Sequence, residues 1–311
     1  MKVLGLDIGG TTIKGAVCDG EEVLLQTKVP TNAQGGAPAI LQAVFSLADK
    51  LLPLTDEASP VGVGSAGDID PYSGEVLYAT ENLPGFTGLP LRALISQYTG
   101  REVTVVNDAV AGLIGEMKFG GAKGKRDVVM LTLGTGLGGG IAVGGKILIG
   151  SQCHGGRIGH IPLHRGGRAC TCGKAGCAEQ YVSATGLLKT AAECHTAARD
   201  CTEIFNRAQS GAPEAIRAVS LFLSDLSAVI ETVLALFDPQ VILLGGGGGR
   251  SEVVLVAAAL RHIACQRKEI CKAGSTRQSG GLFWQPGGGF ERRIFLIFDF
   301  CRRQIRALFV Q

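Results

Sequence analysis

Short apolar runs that end in glycine recur along the chain. Strand-forming residues at 3–6 lead into the string D-I-G-G-T-T, a second apolar run covers residues 13–18, and Asp19-Gly20 is a typical hairpin dipeptide before a third run at 22–29. The glycine turn is therefore predicted to lie between two strands. This placement differs from the dinucleotide fingerprint and from the Walker A loop, which both lead into a helix.

The same order of features returns about 125 residues later. Residues 127–133 form an apolar run that enters L-G-T-G-L-G-G-G, and Gly144-Gly145 again marks a hairpin. Chance similarity of short glycine strings is the alternative explanation. The order and spacing of the flanking strands also match, so the repeat predicts two related α/β halves that face each other.

Helical spacing of apolar residues separates these strands. It predicts helices at residues 39–52, 89–98, 109–117, 184–199 and 213–237. Further buried strands are predicted at 61–64, 103–106 and 241–244, and the last one enters a third glycine turn at 245–249. The stretch 120–125 is a natural boundary. We therefore expect a small α/β domain over residues 1–118 and a larger one over 119–249, followed by an atypical segment at 250–311.

Composition describes a globular protein. The 311 residues are 46% hydrophobic and 18% charged, and we find no long uninterrupted apolar run of the kind that a membrane span or a signal peptide requires. We expect a cytoplasmic protein whose ten cysteines are reduced thiols or metal ligands. Residues 1–249 carry a charge balance of −4 and residues 250–311 one of +7. Neither nucleic acid nor a membrane is an expected partner of the mildly acidic body.

The three glycine turns point to a phosphate ligand. Glycine at a strand end lets the backbone approach a phosphate and direct N–H groups at it, and two of the turns also carry the hydroxyls of Thr11, Thr12 and Thr135. One such turn usually only reverses the chain, whereas three suggest a nucleotide held from several sides. Asp7 at the first turn is placed to hold Mg²⁺, directly or through water, and a turn-capping role is its alternative.

A second carboxylate follows the strand at 103–106. Asp108 lies where a strand gives way to a helix, a favourable position for catalysis in an α/β protein. If a hydroxyl attacks the γ-phosphate, Asp108 could orient it and take its proton, with Asn107 hydrogen-bonding the acceptor. Asp108 could equally be a helix N-cap, and the local sequence leaves both roles open.

Four metal-type ligands follow the second glycine turn. His160, Cys170, Cys172 and Cys177 have the spacing H-x9-C-x-C-x4-C, which suits tetrahedral structural zinc. Free thiols on a loop are the alternative, but the segment is too polar and glycine-rich to be a core for them. His154 and His164 could compete as ligands, although the spacing favours His160.

Together these strings resemble the ROK family of sugar kinases and sugar-responsive repressors, over roughly residues 3–247. The resemblance rests on D-I-G-G-T with Lys14, on N-D at 107–108, on L-G-T-G-L-G-G-G-I, and on the specific segment G-H…C-x-C-G-x-x-G-C-x-E. It implies the two-domain actin/hexokinase-like (ribonuclease H-like) α/β fold with a cleft between its lobes.

The resemblance also implies a function. The expected activity is ATP-dependent phosphorylation of a hexose, glucose by default, in a homodimer that uses ATP, Mg²⁺ and structural Zn²⁺. An N-acetylmannosamine, N-acetylglucosamine or fructose kinase and a weakly active sugar-binding regulator are the alternatives. Repressors of this family carry a DNA-binding domain before the first glycine turn, which here begins at residue 7, so we expect none.

The resemblance further implies individual roles. Asp108 would be the catalytic base. The sugar would be bound by Gly67, Asn82, Asn107, Asp108, His160 and Glu179. The nucleotide and its metal ion would be bound by Asp7, Gly9, Gly10, Thr11, Thr12, Lys14, Thr132, Gly134, Thr135, Gly136, Gly138, Gly245 and Gly246. Zinc would be held by His160, Cys170, Cys172 and Cys177.

The chain departs from the family pattern at two places. Family kinases commonly have a glutamate three residues before the zinc histidine, where this chain has Arg157. Arginine only donates hydrogen bonds, so Arg157 is expected either to turn to solvent or to select a sugar with an additional acceptor, such as an N-acetyl group. The second departure is the segment 250–311, which holds the single Trp and six of the twelve Phe. A shifted reading frame or lineage divergence would explain its composition.

Overall fold

The computed structural model describes residues 1–246 and the backbone of residues 293–296. The remainder of the atypical segment at 250–311 lies outside the described residues. The strands are β1 Lys2–Ile8, β2 Thr12–Asp19, β3 Glu22–Pro30, β4 Val61–Ser65, β5 Asp68–Ile69, β6 Val76–Tyr78, β7 Val103–Asn107, β8 Val128–Leu133, β9 Leu137–Val143, β10 Lys146–Ile147, β11 Val241–Gly245 and β12 Arg293–Leu296. The α-helices are α1 Gly36–Leu51, α2 Leu91–Thr99, α3 Asp108–Phe119, α4 Ala184–Glu193, α5 Cys201–Gln209 and α6 Pro213–Phe237.

The described chain divides into two compact units. The first contains Met1–Gly124 and Ile149–Gly155, and the second contains Lys125–Leu148 and the described chain from Gly156 onward. In the first unit the sheet order is β3-β2-β1-β4-β7, with β2 antiparallel to both β3 and β1, and with β4 and β7 parallel to β1. Strands β1 and β4 are almost wholly buried, as their unbroken apolar runs require in the middle of a sheet.

The sheet of the second unit repeats this plan. Its order is β10-β9-β8-β11-β12, again with two antiparallel pairings followed by two parallel ones. The internal repeat predicted from the glycine turns is thus confirmed at the level of strand order and direction. In each sheet, the glycine turn connects the first two strands in chain order, β1 to β2 in one and β8 to β9 in the other.

Most predicted helices are found, but the prediction of one helix over 184–199 is wrong. Helix α4 ends at Glu193, and His195 adopts a positive φ of 60°, which a continuing helix cannot accommodate. A separate helix, α5, then begins after Asp200, whose side chain accepts a hydrogen bond from the backbone N–H of Glu203 at 2.9 Å. The D-x-x-E spacing is a capping pattern that signals this start in the sequence.

In the part of the chain that the structure describes, two helical segments reach the length and mean hydropathy of a membrane span, Ala33–Leu54 and Pro213–Phe237. Length and composition alone are weak indications, because core helices of soluble proteins pass the same test. In α1 the buried residues include Ile40, Val44 and Leu47, which belong to the apolar core of the first unit. One-sided burial of this kind is typical of a helix packed on a sheet.

Candidate active site

The first unit places a charge pair at the start of its glycine turn. Asp7 on β1 is paired in register with Lys14 on β2 and with Gly64 on β4. The Asp7 side chain is buried, and the distance from Lys14 Nζ to Asp7 Oδ2 is 3.6 Å. Burial raises the pKa of Asp7, while the charge of Lys14 opposes the rise.

One residue after this row, at the carboxyl ends of β1, β4 and β7, the sheet places two polar residues side by side. Ser65 on β4 pairs in register with Ile8 on β1 and with Asn107 on β7. Asn107 is the N-cap of α3: its Oδ1 accepts hydrogen bonds from the backbone N–H groups of Ala109 at 2.9 Å and Val110 at 3.2 Å. The alternative role of Asp108 as the N-cap is therefore wrong, since its neighbour fills that position.

Asp108 is the first residue of α3. Its Oδ1 also accepts a hydrogen bond from Ala109 N, at 2.8 Å. Burial, followed by the charge of Asp7, raises the pKa of Asp108 to about 6, against hydrogen bonds from Ala109 and Asn107 that lower it. A carboxylate with this pKa is mostly ionised at neutral pH and is a stronger base than an ordinary aspartate, as a general base needs to be.

Asn107 also fixes the loop after β4. Its Nδ2 donates to the carbonyl oxygen of Gly67 at 2.8 Å. Gly67 has a φ of +104°, and a Cβ at this position would lie 2.5 Å from the carbonyl oxygen of Tyr78. Glycine is thus required at this point, and the structure connects two of the residues predicted to bind the sugar.

Asn82 lies beside the first glycine turn. A Cβ at Gly10 would come within 2.8 Å of Asn82 Cβ, so the two residues pack closely. The turn itself is closed by a hydrogen bond from Gly9 N to Thr12 O at 3.2 Å, and the Thr31 hydroxyl donates to Gly9 O at 2.6 Å. Asn82, predicted to contact sugar, is therefore also a neighbour of the predicted phosphate turn.

Three of the predicted nucleotide-binding residues of the second unit lie in one row across its sheet. Thr132 on β8 pairs in register with Gly138 on β9 and with Gly245 on β11, and Gly246 follows directly. The turn that leaves β8 is closed by a hydrogen bond from Gly134 N to Gly136 O at 3.0 Å. At the tip of this turn, Thr135 is exposed.

The four predicted zinc ligands converge. Their ligand atoms all lie within 4.8 Å of one another, with 3.7 Å between His160 Nδ1 and Cys170 Sγ and 3.6 Å between the sulfurs of Cys172 and Cys177. A tetrahedral zinc ion with metal–ligand bonds of about 2.0–2.3 Å separates its ligand atoms by roughly 3.5–3.8 Å. The donor set and the spacing thus fit structural zinc, and the three cysteines of the set are free thiols without disulfide bonds.

Glu179 lies two residues after the last of these cysteines, in the 3-10 turn Ala178–Gln180. Its Oε2 accepts a hydrogen bond from the backbone N–H of Leu137 at 3.2 Å. Leu137 was not predicted as a site residue, because the contact spans 42 positions and only the adjoining L-G-T-G string hinted at it. The structure therefore joins Glu179 to the second glycine turn.

Arg157 is half-buried and precedes the 3-10 turn Ile158–His160. Burial lowers the pKa of Arg157, against an opposing effect of Cys172. The side chain therefore does not simply turn to solvent, which was one of its two expected placements.

Comparisons with known proteins agree with this geometry. The model of the ROK family matches residues 3–282. A glucokinase of Thermotoga maritima is 30% identical over 79% of this chain and 81% of its own length. An N-acetylmannosamine kinase of Escherichia coli is 32% identical over 79% of this chain and 82% of its own. A glucokinase of Halalkalibacterium halodurans is 37% identical over 61% of this chain and 59% of its own length, so that match spans less than two thirds of the relative.

A solved structure extends the likeness to the fold. The crystal structure of a ROK family glucokinase from Streptomyces griseus in complex with glucose and AMPPNP is 28% identical, with a TM-score of 0.79 over 99% of this chain and 98% of the other. The expected actin/hexokinase-like α/β fold is thereby confirmed.

Proposed function

Since the chain belongs to the ROK family, we propose that this ATP-dependent sugar kinase phosphorylates a hexose, with glucose as the preferred acceptor and glucose 6-phosphate as the product. The observation that carries the proposal is Asp108. It directly follows the carboxyl end of β7, where burial and then the charge of Asp7 raise its pKa to about 6.

Asp108 acts as the general base in this proposal. It accepts the proton of the sugar hydroxyl as that hydroxyl attacks the γ-phosphate of ATP. Asn107 holds the geometry, because it caps α3 and fixes the Gly67 carbonyl through the same amide group. An amide nitrogen carries two donors, so Asn107 can hold Gly67 and still donate to the sugar.

The nucleotide would be bound through both glycine turns. Backbone N–H groups and threonine hydroxyls of the turns at 9–12 and 134–138 suit phosphate oxygens. Asp7 would contact Mg²⁺, directly or through water, and Lys14 would balance its charge in the absence of the metal ion. When bound, Mg²⁺ would neutralise charge on the β- and γ-phosphates.

Zinc would have a structural role here. His160, Cys170, Cys172 and Cys177 would hold it, and His160 would use Nδ1, the atom that faces Cys170 Sγ. That choice leaves Nε2 of His160 for a sugar hydroxyl. Burial raises the pKa of Cys177 to about 12 in the absence of metal, so metal binding would release protons from the cluster.

The identity of the sugar depends on Arg157. Similarity to glucokinases favours glucose, while similarity to N-acetylmannosamine kinases supports an N-acetylhexosamine as the second candidate. A half-buried guanidinium beside the His160 turn could donate to the carbonyl of an N-acetyl group.

A homodimer, a cytoplasmic location and domains over residues 1–118 and 119–249 complete the proposal, and size-exclusion chromatography would test the dimer.

A coupled assay of ADP release with a panel of hexoses and N-acetylhexosamines tests the function. We expect the highest kcat/KM with glucose, with zinc-replete, full-length protein. Turnover with an N-acetylhexosamine above that with glucose would select the second candidate. Nucleotide turnover that no sugar stimulates would contradict the kinase proposal and favour a sugar-binding regulator.

A further inference from the structure

Glu179 contacts the glycine turn between β8 and β9 at the point where the turn ends. Its Oε2 accepts the hydrogen bond from Leu137 N at 3.2 Å, and a Cβ added at Gly136 would overlap the same oxygen. Leu137 is the first residue of β9. The carboxylate therefore packs on the turn and holds the strand that leaves it.

Two other contacts hold the same turn from the chain around the cysteine cluster. Gly159 packs so closely on the carbonyl oxygen of Leu137 that a Cβ would overlap it. At the entry of the turn, Ala184 N donates to Gly134 O at 2.9 Å. The turn is thus fixed at both ends, and Glu179 supplies the one side-chain hydrogen bond among these three contacts.

Neighbouring residues hold the backbone of Glu179 in place. Ser183 Oγ donates to its backbone carbonyl at 2.7 Å, and Cys177, a buried member of the cysteine cluster, lies two residues before it. The turn that it contacts contains glycine at 134 and 136, and such backbone loses much conformational entropy when a ligand orders it. A contact that orders the turn in advance reduces that loss on binding.

We propose that Glu179 is a positioning residue that braces the 134–138 turn for nucleotide binding. The inference rests on the proposed function, in which this turn binds ATP phosphates. It assigns a role to Oε2 that is separate from the sugar contact proposed for the same carboxylate. Its consequence is that nucleotide affinity depends on Glu179 even without sugar.

The sign of the effect separates bracing from electrostatics. A carboxylate next to a phosphate site repels the ligand, so its removal would tighten nucleotide binding if charge alone mattered. If the carboxylate braces the turn, its removal would instead weaken nucleotide binding. Glu179→Gln removes the charge but keeps an acceptor of the same length, whereas Glu179→Asp keeps the charge and is too short to reach Leu137 N.

The test is the dissociation constant of a non-hydrolysable ATP analogue, measured by calorimetry without sugar. We expect Glu179→Asp and Glu179→Ala to weaken binding roughly tenfold, as the loss of a hydrogen bond to a charged group predicts. For Glu179→Gln we expect a change of no more than about threefold. Glu214→Ala, at an exposed glutamate of the same unit, is the matched control and should bind as the wild type does.

Two outcomes would overturn the proposal. One is equal or tighter analogue binding in Glu179→Asp and Glu179→Ala, and the other is an unchanged exchange rate of the Leu137 amide in those variants. Hydrogen exchange of the Leu137 amide reports the contact with Glu179 in the absence of nucleotide, so it remains informative for a variant that does not bind the analogue. Failure of the wild type to bind the analogue would instead refute the proposed function, while faster exchange in Glu179→Asp would still support the brace.

Discussion

Asp108→Asn is predicted to inactivate the enzyme and to stabilise its fold. The substitution keeps an oxygen that can accept the hydrogen bond from Ala109 N, which Asp108 Oδ1 now accepts at 2.8 Å. It removes a negative charge that is desolvated and lies near the charge of Asp7. In the proposed mechanism this charge is needed for catalysis, whereas its burial makes it unfavourable for folding.

The magnitude follows from the pKa of Asp108. Its rise from 3.8 to about 6 means that the folded state holds the proton more tightly than the unfolded chain does. This contribution to stability is present at low pH and is lost as the pH rises from about 4 to about 6. At 1.36 kcal/mol per pKa unit, the ionised group destabilises the fold by about 3 kcal/mol at pH 8 and by about 1.6 kcal/mol at pH 5. These are upper values, because Asp108 is only partly buried and solvent screens its charge.

The assay is thermal unfolding of wild type and Asp108→Asn without ligands at pH 8 and pH 5. At 2–4 °C per kcal/mol, we expect the variant to melt about 5–10 °C higher at pH 8, with roughly half that gain at pH 5. Asp200→Asn is the control, because Asp200 is an exposed N-cap and asparagine caps a helix equally well. A variant that melts at or below the wild-type temperature at pH 8, or whose gain does not shrink at pH 5, would refute the reasoning.

The remaining predictions concern the base, the cap, the cluster and Arg157. The kcat/KM of the wild type should fall about tenfold per pH unit below pH 6, because this ratio reports the free enzyme and protonated Asp108 is not a base; a flat profile down to pH 5 would exclude Asp108 as the base. Asn107→Ala should lower the free energy of unfolding by about 1 kcal/mol or more in denaturant titrations, because it removes the helix cap and the hydrogen bond to Gly67 O. Asn107→Asp should also lower it, since aspartate keeps the cap but cannot donate to Gly67 O. Cys177→Ser should lose bound zinc by mass spectrometry and melt at a lower temperature, whereas Cys194→Ser should change neither. Arg157→Glu should shift the ratio of kcat/KM for glucose over N-acetylmannosamine at least about tenfold towards glucose if arginine donates to the N-acetyl group, and an unchanged ratio would contradict that role.

The sequence predicts most of the framework because its signals are local. Hairpin dipeptides and apolar runs located both glycine turns between strands, and α6 spans the predicted 213–237. The four residues predicted to hold zinc also come together in the structure, as their spacing within eighteen residues of sequence favours. Where the residues of a site lie close together in the sequence, residue types and their spacing are enough to predict the site.

The rest depends on contacts between residues distant in the chain. The hydrogen bond from Leu137 to Glu179 spans 42 positions, and that from Asn107 to Gly67 spans 40. Nor can spacing reveal which of two adjacent polar residues caps a helix, and the cap proved to be Asn107. The pKa of Asp108 depends on burial and on Asp7, quantities that only the packed sheet determines.

The two sheets also show how one plan serves two chemical roles. The row that crosses the start of the glycine turn reads Lys14, Asp7 and Gly64 in the first unit, and the matching row in the second reads Gly138, Thr132 and Gly245. Strand order and direction are the same, but the charged side chains of Lys14 and Asp7 in the first row are replaced by Gly138 and Thr132 in the second. Backbone N–H groups that glycine leaves accessible suit phosphate oxygens, whereas a buried carboxylate suits a cation and raises the pKa of Asp108. In the proposed function, this difference gives the first unit its metal contact, Asp7, and gives the second unit an uncharged row beside its phosphate turn, with the same strand order in both.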